Sequence, residues 1–314
     1  MANENKLNLP AIHSSKGIVK PQSDAKKISP FDLSKKSTVS KILKKEESSL
    51  QQELINKNRG LDLILVGDLT TSMTHYHTLL KNKFKELCVE MFGLINNLRI
   101  GIVFYLDYDR HLPYVTSICQ PCSDIEKLSY FIEKTPVSHD GNSTADEAVE
   151  EALHDLLQNI QWKELHNRSV VLFGDASPHP KHHCPNGLDF WELTKQLYHA
   201  NTTVNSVFCG YGDRKKMQDV YSIGIGDFDT PIEYLGANQF FSWIANVTGG
   251  MVINIENVDD LIDIIITSAA KDAGKLADLE AKVKAEPRKL NLIKLAKEAE
   301  SRKISYIKNR KLLE

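Results

Sequence analysis

Five apolar runs rich in Val, Ile and Phe alternate with segments of helical length in the middle of the chain. The runs cover residues 61–67, 99–107, 169–176, 203–210 and 250–255. Segments that fit helices lie chiefly at 75–97, 144–158, 188–200 and 257–273. Strands that are apolar almost throughout are buried on both faces, and strands that alternate with helices form parallel sheets. The pattern therefore predicts an α/β fold with an open, mostly parallel, doubly wound, Rossmann-like sheet, to which residues 113–119 add an antiparallel edge strand.

The flanking segments differ from this middle part. Residues 1–36 are rich in Lys, Ser and Pro without a sustained period, which favours a flexible basic arm. Hydroxyl residues followed by spaced Ile and Leu predict a helix over 37–58. We place a folded domain at 59–271 and a charged helical tail at 272–314, with a break before Pro287.

The tail carries a narrow apolar stripe formed by Leu292, Leu295, Ala296 and Ala299. Such a stripe suits packing onto the domain or onto a partner helix. Packing onto the domain is the more frequent outcome and is the one we expect.

Composition and charge exclude several classes of function. The chain is 41% hydrophobic and 25% charged, as in ordinary soluble proteins. Its net charge of −2 combines +5 over residues 1–50 and +6 over residues 271–314 with an acidic middle. Nucleic acid binding needs basic groups, so we expect none from the domain. No apolar stretch approaches the roughly 20 residues of a membrane span, and the first residues do not resemble a secretory signal. Five cysteines do not suggest a disulfide framework, and a cytoplasmic location is expected.

Oxygen-bearing side chains occur at three points that the predicted sheet should bring together. Asp68, Thr70 and Ser72 follow the first apolar run, Thr144 comes just before a predicted helix, and Asp175 ends another run. In an open parallel sheet, ligands bind at the carboxyl edge of the strands. Three such segments at one edge favour a shared site.

Each segment also has a simpler explanation. Thr144 with Glu147 has the spacing of a capping box, and Asp68 and Ser72 could cap the first helix. Asp175 could open a turn. A single one of these segments would favour the simpler explanation, but their combination favours a site.

The segments "DLTTSM", Thr144 and "GDASPHP" resemble the metal-ion-dependent adhesion site of von Willebrand factor A (vWA) domains. The resemblance is closest to the A-type domain attached to some alpha-type protein kinases, through "VFYLDYDR", "DGNSTADEAVEEAL" and "WIANVTGGMVINIENVDDLIDIII". It covers about residues 60–270. Thr70 replaces the more common Ser, and Asn142 and Ser143 interrupt the usual glycine run. Kinase motifs do not follow in this sequence, so kinase activity is not expected.

The resemblance implies a divalent cation at this site. Oxygen ligands favour Mg²⁺, with Mn²⁺ or Ca²⁺ as alternatives. By analogy, Thr70 and Ser72 would bind the cation directly, Thr144 directly or through water, and Asp68 and Asp175 mostly through water. A carboxylate of a partner protein would fill the remaining position.

A zinc site is the alternative metal chemistry in this sequence. Cys119 and Cys122 form a Cys-x-x-Cys pair, and His179, His182, His183 and Cys184 cluster in "HPKHHC". A structural zinc site usually needs two comparably spaced pairs, so we do not expect one here. Asp107 and Asp109 in "YLDYDR" fit either an outer shell of the cation site or exposed turn acids.

The expected function is a metal-dependent protein-binding module. The resemblance implies partners such as a kinase, a phosphatase or an AAA-type ATPase. A metal-dependent hydrolase using the same cation is the first alternative, but no motif places a general base beside the cation, so we expect no enzymatic activity. A metal-independent scaffold that acts through its terminal helices is the second alternative.

Overall fold

A mostly parallel sheet lies at the centre of the protein. The computed structural model describes residues 59–138, 144–210, 223–255, 257–283 and 286–313, with side chains as far as residue 304. The flexible arm predicted at 1–36 and the helix predicted at 37–58 lie outside the described residues.

The described part of the chain contains six strands in the order β3-β2-β1-β4-β5-β6. The strands are β1 Leu61–Asp68, β2 Leu98–Tyr105, β3 Thr116–Cys122, β4 Asn167–Gly174, β5 Thr202–Phe208 and β6 Val252–Asn254. All neighbouring pairs are parallel except β2 with β3. The predicted fold class is therefore confirmed, including the antiparallel strand at the edge.

Helices cover both faces of this sheet. They are α1 Thr74–Leu94, α2 Ile125–Lys134, α3 Val149–Gln158, α4 Phe190–His199, α5 Ala237–Thr248, α6 Asp260–Asp272, α7 Leu276–Lys282 and α8 Pro287–Leu313. The helix predicted to begin just after Thr144 begins later than expected. The backbone N–H groups of Glu147 and Ala148 donate to the carbonyls of Ser177 and Leu106, so residues 144–148 are not helical and the helix starts at Val149.

Alternate residues of β1 enter two separate cores. Leu63 and Leu65 pack with the apolar faces of α1 and α6, while Ile64 and Val66 pack with α3, α4 and α5. All eight residues of β1 are buried. This burial on both faces explains why the strand has no alternation of polar and apolar residues.

The tail helix α8 packs on the domain. Ile293 and Ala296 are 1% and 0% exposed, and Leu292 and Ala299 are also buried, whereas Leu295 is partly buried. Arg302 donates to Asn246 Oδ1 over 2.7 Å and Lys303 to Thr203 Oγ1 over 2.9 Å. The apolar stripe of the tail thus lies against α6 and α7. None of the helices described is both long and apolar enough to cross a membrane.

Candidate metal centre

The carboxyl end of β1 begins the candidate site with Asp68. Its Oδ1 accepts hydrogen bonds from the Thr70 backbone N–H over 2.7 Å and from Thr70 Oγ1 over 2.6 Å. Thr70 Oγ1 lies 3.4 Å from Ser72 Oγ. This short turn places one carboxylate and two hydroxyls in sequence order at the edge of the sheet.

The simpler explanation of these residues, helix capping, does not apply. A 3-10 helix over Thr71–Met73 leads into α1, and neither start receives a side-chain capping hydrogen bond. Asp68 instead closes the turn through Oδ1. Its other oxygen, Oδ2, is buried and has no well-formed hydrogen bond among the described residues, although the Glu147 side chain lies close enough to share a proton with Asp68. Since buried polar atoms are almost always paired, this oxygen needs a ligand or a proton.

Three carboxylates meet at this point: one oxygen from each of Asp68, Glu147 and Asp175 lies within 4.8 Å of the others. In the described part of the chain, no other group of three His, Cys, Asp or Glu side chains comes this close together. Asp68 is fully buried, Glu147 is 5% exposed and Asp175 is partly exposed. The structure thus brings together the predicted residues Asp68 and Asp175.

Glu147 is a member of this cluster that was not predicted as a ligand and was considered only as part of a capping box with Thr144. Its backbone forms an isolated parallel bridge with Pro178, and its N–H donates to the Ser177 carbonyl over 2.9 Å. These bonds attach the segment before α3 to the loop after β4. The only sequence signal was an acid three residues after Thr144, and the capping box was a sufficient explanation for it.

The electrostatics of the cluster favour a bound cation. Burial raises the pKa of Asp68 to about 6; a hydrogen bond with the Glu147 side chain opposes this rise, and the charge of Asp175 adds to it. Burial also raises the pKa of Glu147 well above its ordinary value, and the charge of Asp68 raises it further. Ionised carboxylates at this separation repel one another in a medium of low dielectric constant. A divalent cation would remove the repulsion and supply a partner for Asp68 Oδ2.

Thr144 lies in a second, adjoining hydrogen-bond network. Its hydroxyl donates to Asp107 Oδ2 over 2.7 Å and to the Asp146 carbonyl over 2.9 Å. Asp107 Oδ1 accepts from the Tyr108 N–H and lies 2.8 Å from His179 Nε2. Asp107 is 2% exposed. Asp107 is therefore not an exposed turn acid. It is buried and supports this edge of the sheet through its hydrogen bonds.

Burial and neighbouring charges shift the pKa values of His179 and Glu150 in this network. Burial lowers the pKa of His179, but its hydrogen bond to Asp107 and the charge of Glu150 outweigh that effect and raise the pKa above the ordinary value. Burial raises the pKa of Glu150 to about 7. Glu150 accepts hydrogen bonds from the Tyr108 hydroxyl and the His179 N–H over 2.8 and 3.0 Å. The network holds the Thr144 segment beside the carboxylate cluster.

The residues considered for zinc lie in separate contacts. Cys119 and Cys122 are on the edge strand β3. Cys184 Sγ lies 3.2 Å from the Tyr108 hydroxyl, and His179 is bound to Asp107. Within the described residues these side chains do not form a group of three potential ligands. All five cysteines are free thiols.

Comparisons with known proteins give low similarity. No family model matches the chain, and no curated protein matches it. Proximal thread matrix protein 1 from the mussel byssus, solved with a zinc-occupied MIDAS motif, matches 71% of this chain with 14% identity and a TM-score of 0.46. This chain covers only 47% of that mussel protein.

Two further solved structures have similar scores. BatB from Bacteroides thetaiotaomicron is 15% identical, with 68% of this chain and 100% of BatB covered, at a TM-score of 0.42. The SpRpn10 VWA domain is 13% identical, with 65% and 94% covered, at a TM-score of 0.42. Similarities of this size carry no argument about function, so the case for the site depends on its geometry.

Proposed function

We propose that the carboxyl edge of the sheet binds a divalent cation and that the protein recognises a partner protein through this cation, as an A-type interaction module. The observation that carries the proposal is the meeting of Asp68, Glu147 and Asp175, which come from three separate segments and lie within 4.8 Å of one another. The burial of the Asp68 and Glu147 side chains supports it.

The donor set fits a hard cation. Carboxylates and the hydroxyls of Thr70 and Ser72 are oxygen donors, which favour Mg²⁺, with Mn²⁺ or Ca²⁺ as alternatives. Thr144 lies on the adjoining network and remains a predicted ligand. The bound cation would supply a positive centre for an oxygen of the partner.

The charge of the site constrains how a partner carboxylate would bind. Three ionised carboxylates exceed the charge of a divalent cation by one. A further carboxylate would therefore meet repulsion if all three remained on the cation. We propose that the carboxylate of the partner replaces Glu147 on the cation and that Glu147, which stays in the site and whose pKa is raised by burial, takes up a proton, so that the total charge is unchanged.

We propose a binding role rather than a catalytic one. A hydrolase would need a general base beside the cation. His179 is the histidine of the adjoining network, and its Nε2 is bonded to Asp107. The three clustered carboxylates are assigned to the cation. The proposed partner class of kinases, phosphatases or AAA-type ATPases in the cytoplasm rests on the resemblance of the sequence motifs alone.

Two measurements test the proposal. Isothermal titration with Mg²⁺, Mn²⁺, Ca²⁺ and Zn²⁺ should show one cation per chain for the wild type and none for Asp68→Ala. Glu164→Ala is the matched control, because Glu164 is exposed and precedes β4 at the opposite end of the sheet. Capture of partners from the native cell extract should need the cation and should fail with chelator. Equal capture by the wild type and Asp68→Ala, with and without chelator, would overturn the proposal.

A further inference from the structure

Tyr105 lies directly beside the carboxylate cluster. It is the last residue of β2 and pairs in register with Asp68, the last residue of β1. Its side chain is fully buried, with the ring in the core formed by Ile64, Val66 and Phe241. The tyrosine thus reaches the site from the interior of the sheet.

The hydroxyl of Tyr105 points to the backbone that connects β4 with Asp175. A Cβ atom added to Gly174 would lie 2.4 Å from Tyr105 Oη and 3.4 Å from Asp68 Cβ. The absence of a side chain at Gly174 therefore leaves the space that this hydroxyl occupies. The oxygen lies between the ends of β1 and β4, where Asp68 and Asp175 enter the site.

This hydroxyl has no hydrogen-bond partner among the described residues. A buried and unpaired hydroxyl costs free energy that phenylalanine at the same position would avoid. Burial raises the pKa of Tyr105, and the charges of Asp68, Glu147 and Asp175 raise it further. The phenol consequently keeps its proton and is a hydrogen-bond donor near enough to the three acids for their charges to act on it.

We propose that Tyr105 is a positioning residue of the metal centre, whose hydroxyl donates a hydrogen bond to one of the clustered carboxylates when the cation is bound. This inference rests on the proposed function. Carboxylates that bind a metal commonly accept hydrogen bonds from a surrounding shell, and loss of such a bond typically lowers metal affinity by 10–100-fold. The tyrosine would orient the carboxylate without contacting the cation.

The test compares Tyr105→Phe with Tyr114→Phe. The Tyr114 hydroxyl already donates to the Pro136 carbonyl over 2.7 Å, so its loss removes a bond that does not belong to the metal centre. Titration with Mn²⁺ should give a Kd about tenfold higher for Tyr105→Phe and an unchanged Kd for Tyr114→Phe. The melting temperature of the metal-free protein should be unchanged or raised by Tyr105→Phe.

A spectroscopic measurement separates orientation from a purely structural role. Addition of Mn²⁺ to the wild type should perturb the tyrosine band in an ultraviolet difference spectrum, because the Tyr105 hydroxyl gains an acceptor. The perturbation should disappear in Tyr105→Phe and persist in Tyr114→Phe. Its absence from the wild type, measured with saturating Mn²⁺, would overturn the inference without any variant.

The two proposals fail in different ways. A wild type that binds no Mn²⁺ would overturn the proposed function and this inference with it. A wild type that binds Mn²⁺, together with Tyr105→Phe of equal affinity, would overturn only the role of Tyr105.

Discussion

The Thr144 hydroxyl donates a hydrogen bond to Asp107 Oδ2 over 2.7 Å. Asp107 in turn accepts a hydrogen bond from the Tyr108 N–H and lies 2.8 Å from His179 Nε2. A buried carboxylate thus connects the loop before α3, the end of β2 and the loop after β4. The segment before α3 and the segment after β4 also carry Glu147 and Asp175 of the carboxylate cluster.

We predict that Asp107→Ala destabilises the protein and weakens cation binding. The substitution removes the carboxylate bonded to His179 and one of the two acceptors near the Thr144 hydroxyl, which should lower the free energy of unfolding by about 3 kcal/mol. Urea denaturation measures this value, and Mn²⁺ titration measures the affinity. Asp229→Ala, on an exposed loop, should change stability by less than about 0.5 kcal/mol. Equal effects of the two variants would contradict the linking role of Asp107.

We predict that Glu147→Gln lowers the Mn²⁺ affinity at least about tenfold, a loss of about 1.4 kcal/mol. The amide keeps the volume of the side chain and removes its charge, so the site loses one anionic ligand. Glu164→Gln is the matched control, because Glu164 is exposed and precedes β4 at the opposite end of the sheet. Wild-type affinity in Glu147→Gln would show that the cation binds without this third carboxylate.

We predict that protonated Asp68 stabilises the metal-free fold at acid pH and that this contribution to the free energy of unfolding is lost at neutral pH. Burial raises the pKa of Asp68 from its ordinary 3.8 to about 6, so the folded state holds this proton more tightly than the unfolded chain. The stabilisation is present below about pH 4 and is lost as the pH rises through about 6.

The variant Asp68→Asn checks this pH dependence. At neutral pH without metal it should be more stable than the wild type by about 2–3 kcal/mol, since the buried charge is gone. Saturating Mg²⁺ should stabilise the wild type and leave the variant unchanged. Denaturation curves across the pH range, with and without chelator, give both results. A stability difference between metal-free wild type and Asp68→Asn that stays constant between pH values of about 4 and 6 would contradict the raised pKa of Asp68.

We predict that the tail helix contributes directly to the stability of the domain. Ile293 is 1% exposed in the contact of α8 with the domain, and Ile293→Ala should cost about 2–4 kcal/mol in free energy of unfolding. Ile304→Ala removes a similar side chain that is 48% exposed and should have little effect. Urea denaturation of both variants checks the prediction. If both variants unfold like the wild type, the tail helix does not stabilise the domain.

The strands and most of the helices on this sheet could be predicted from the sequence. Because β1 is buried on both faces, its apolar run is almost continuous, and the run predicts a buried parallel strand directly. The helix Ile125–Lys134 was not singled out, although Asp124 caps it by accepting from the Lys127 N–H. The assignment of Asp68 and Asp175 to one edge also followed, since parallel strands end together.

The sequence by itself determined the layers of the fold and the strand ends that carry oxygen donors. A strand buried on both faces needs an apolar residue at almost every position. The strands can therefore be recognised from short stretches of sequence. The tertiary structure decided that Glu147 joins Asp68 and Asp175, that Thr144 is held by Asp107, and that the Tyr105 hydroxyl lies against Gly174 at the end of β4. These contacts join segments that lie far apart in the chain. They depend on long-range hydrogen bonds, such as the one from the Glu147 N–H to the Ser177 carbonyl, and a local sequence pattern does not predict them.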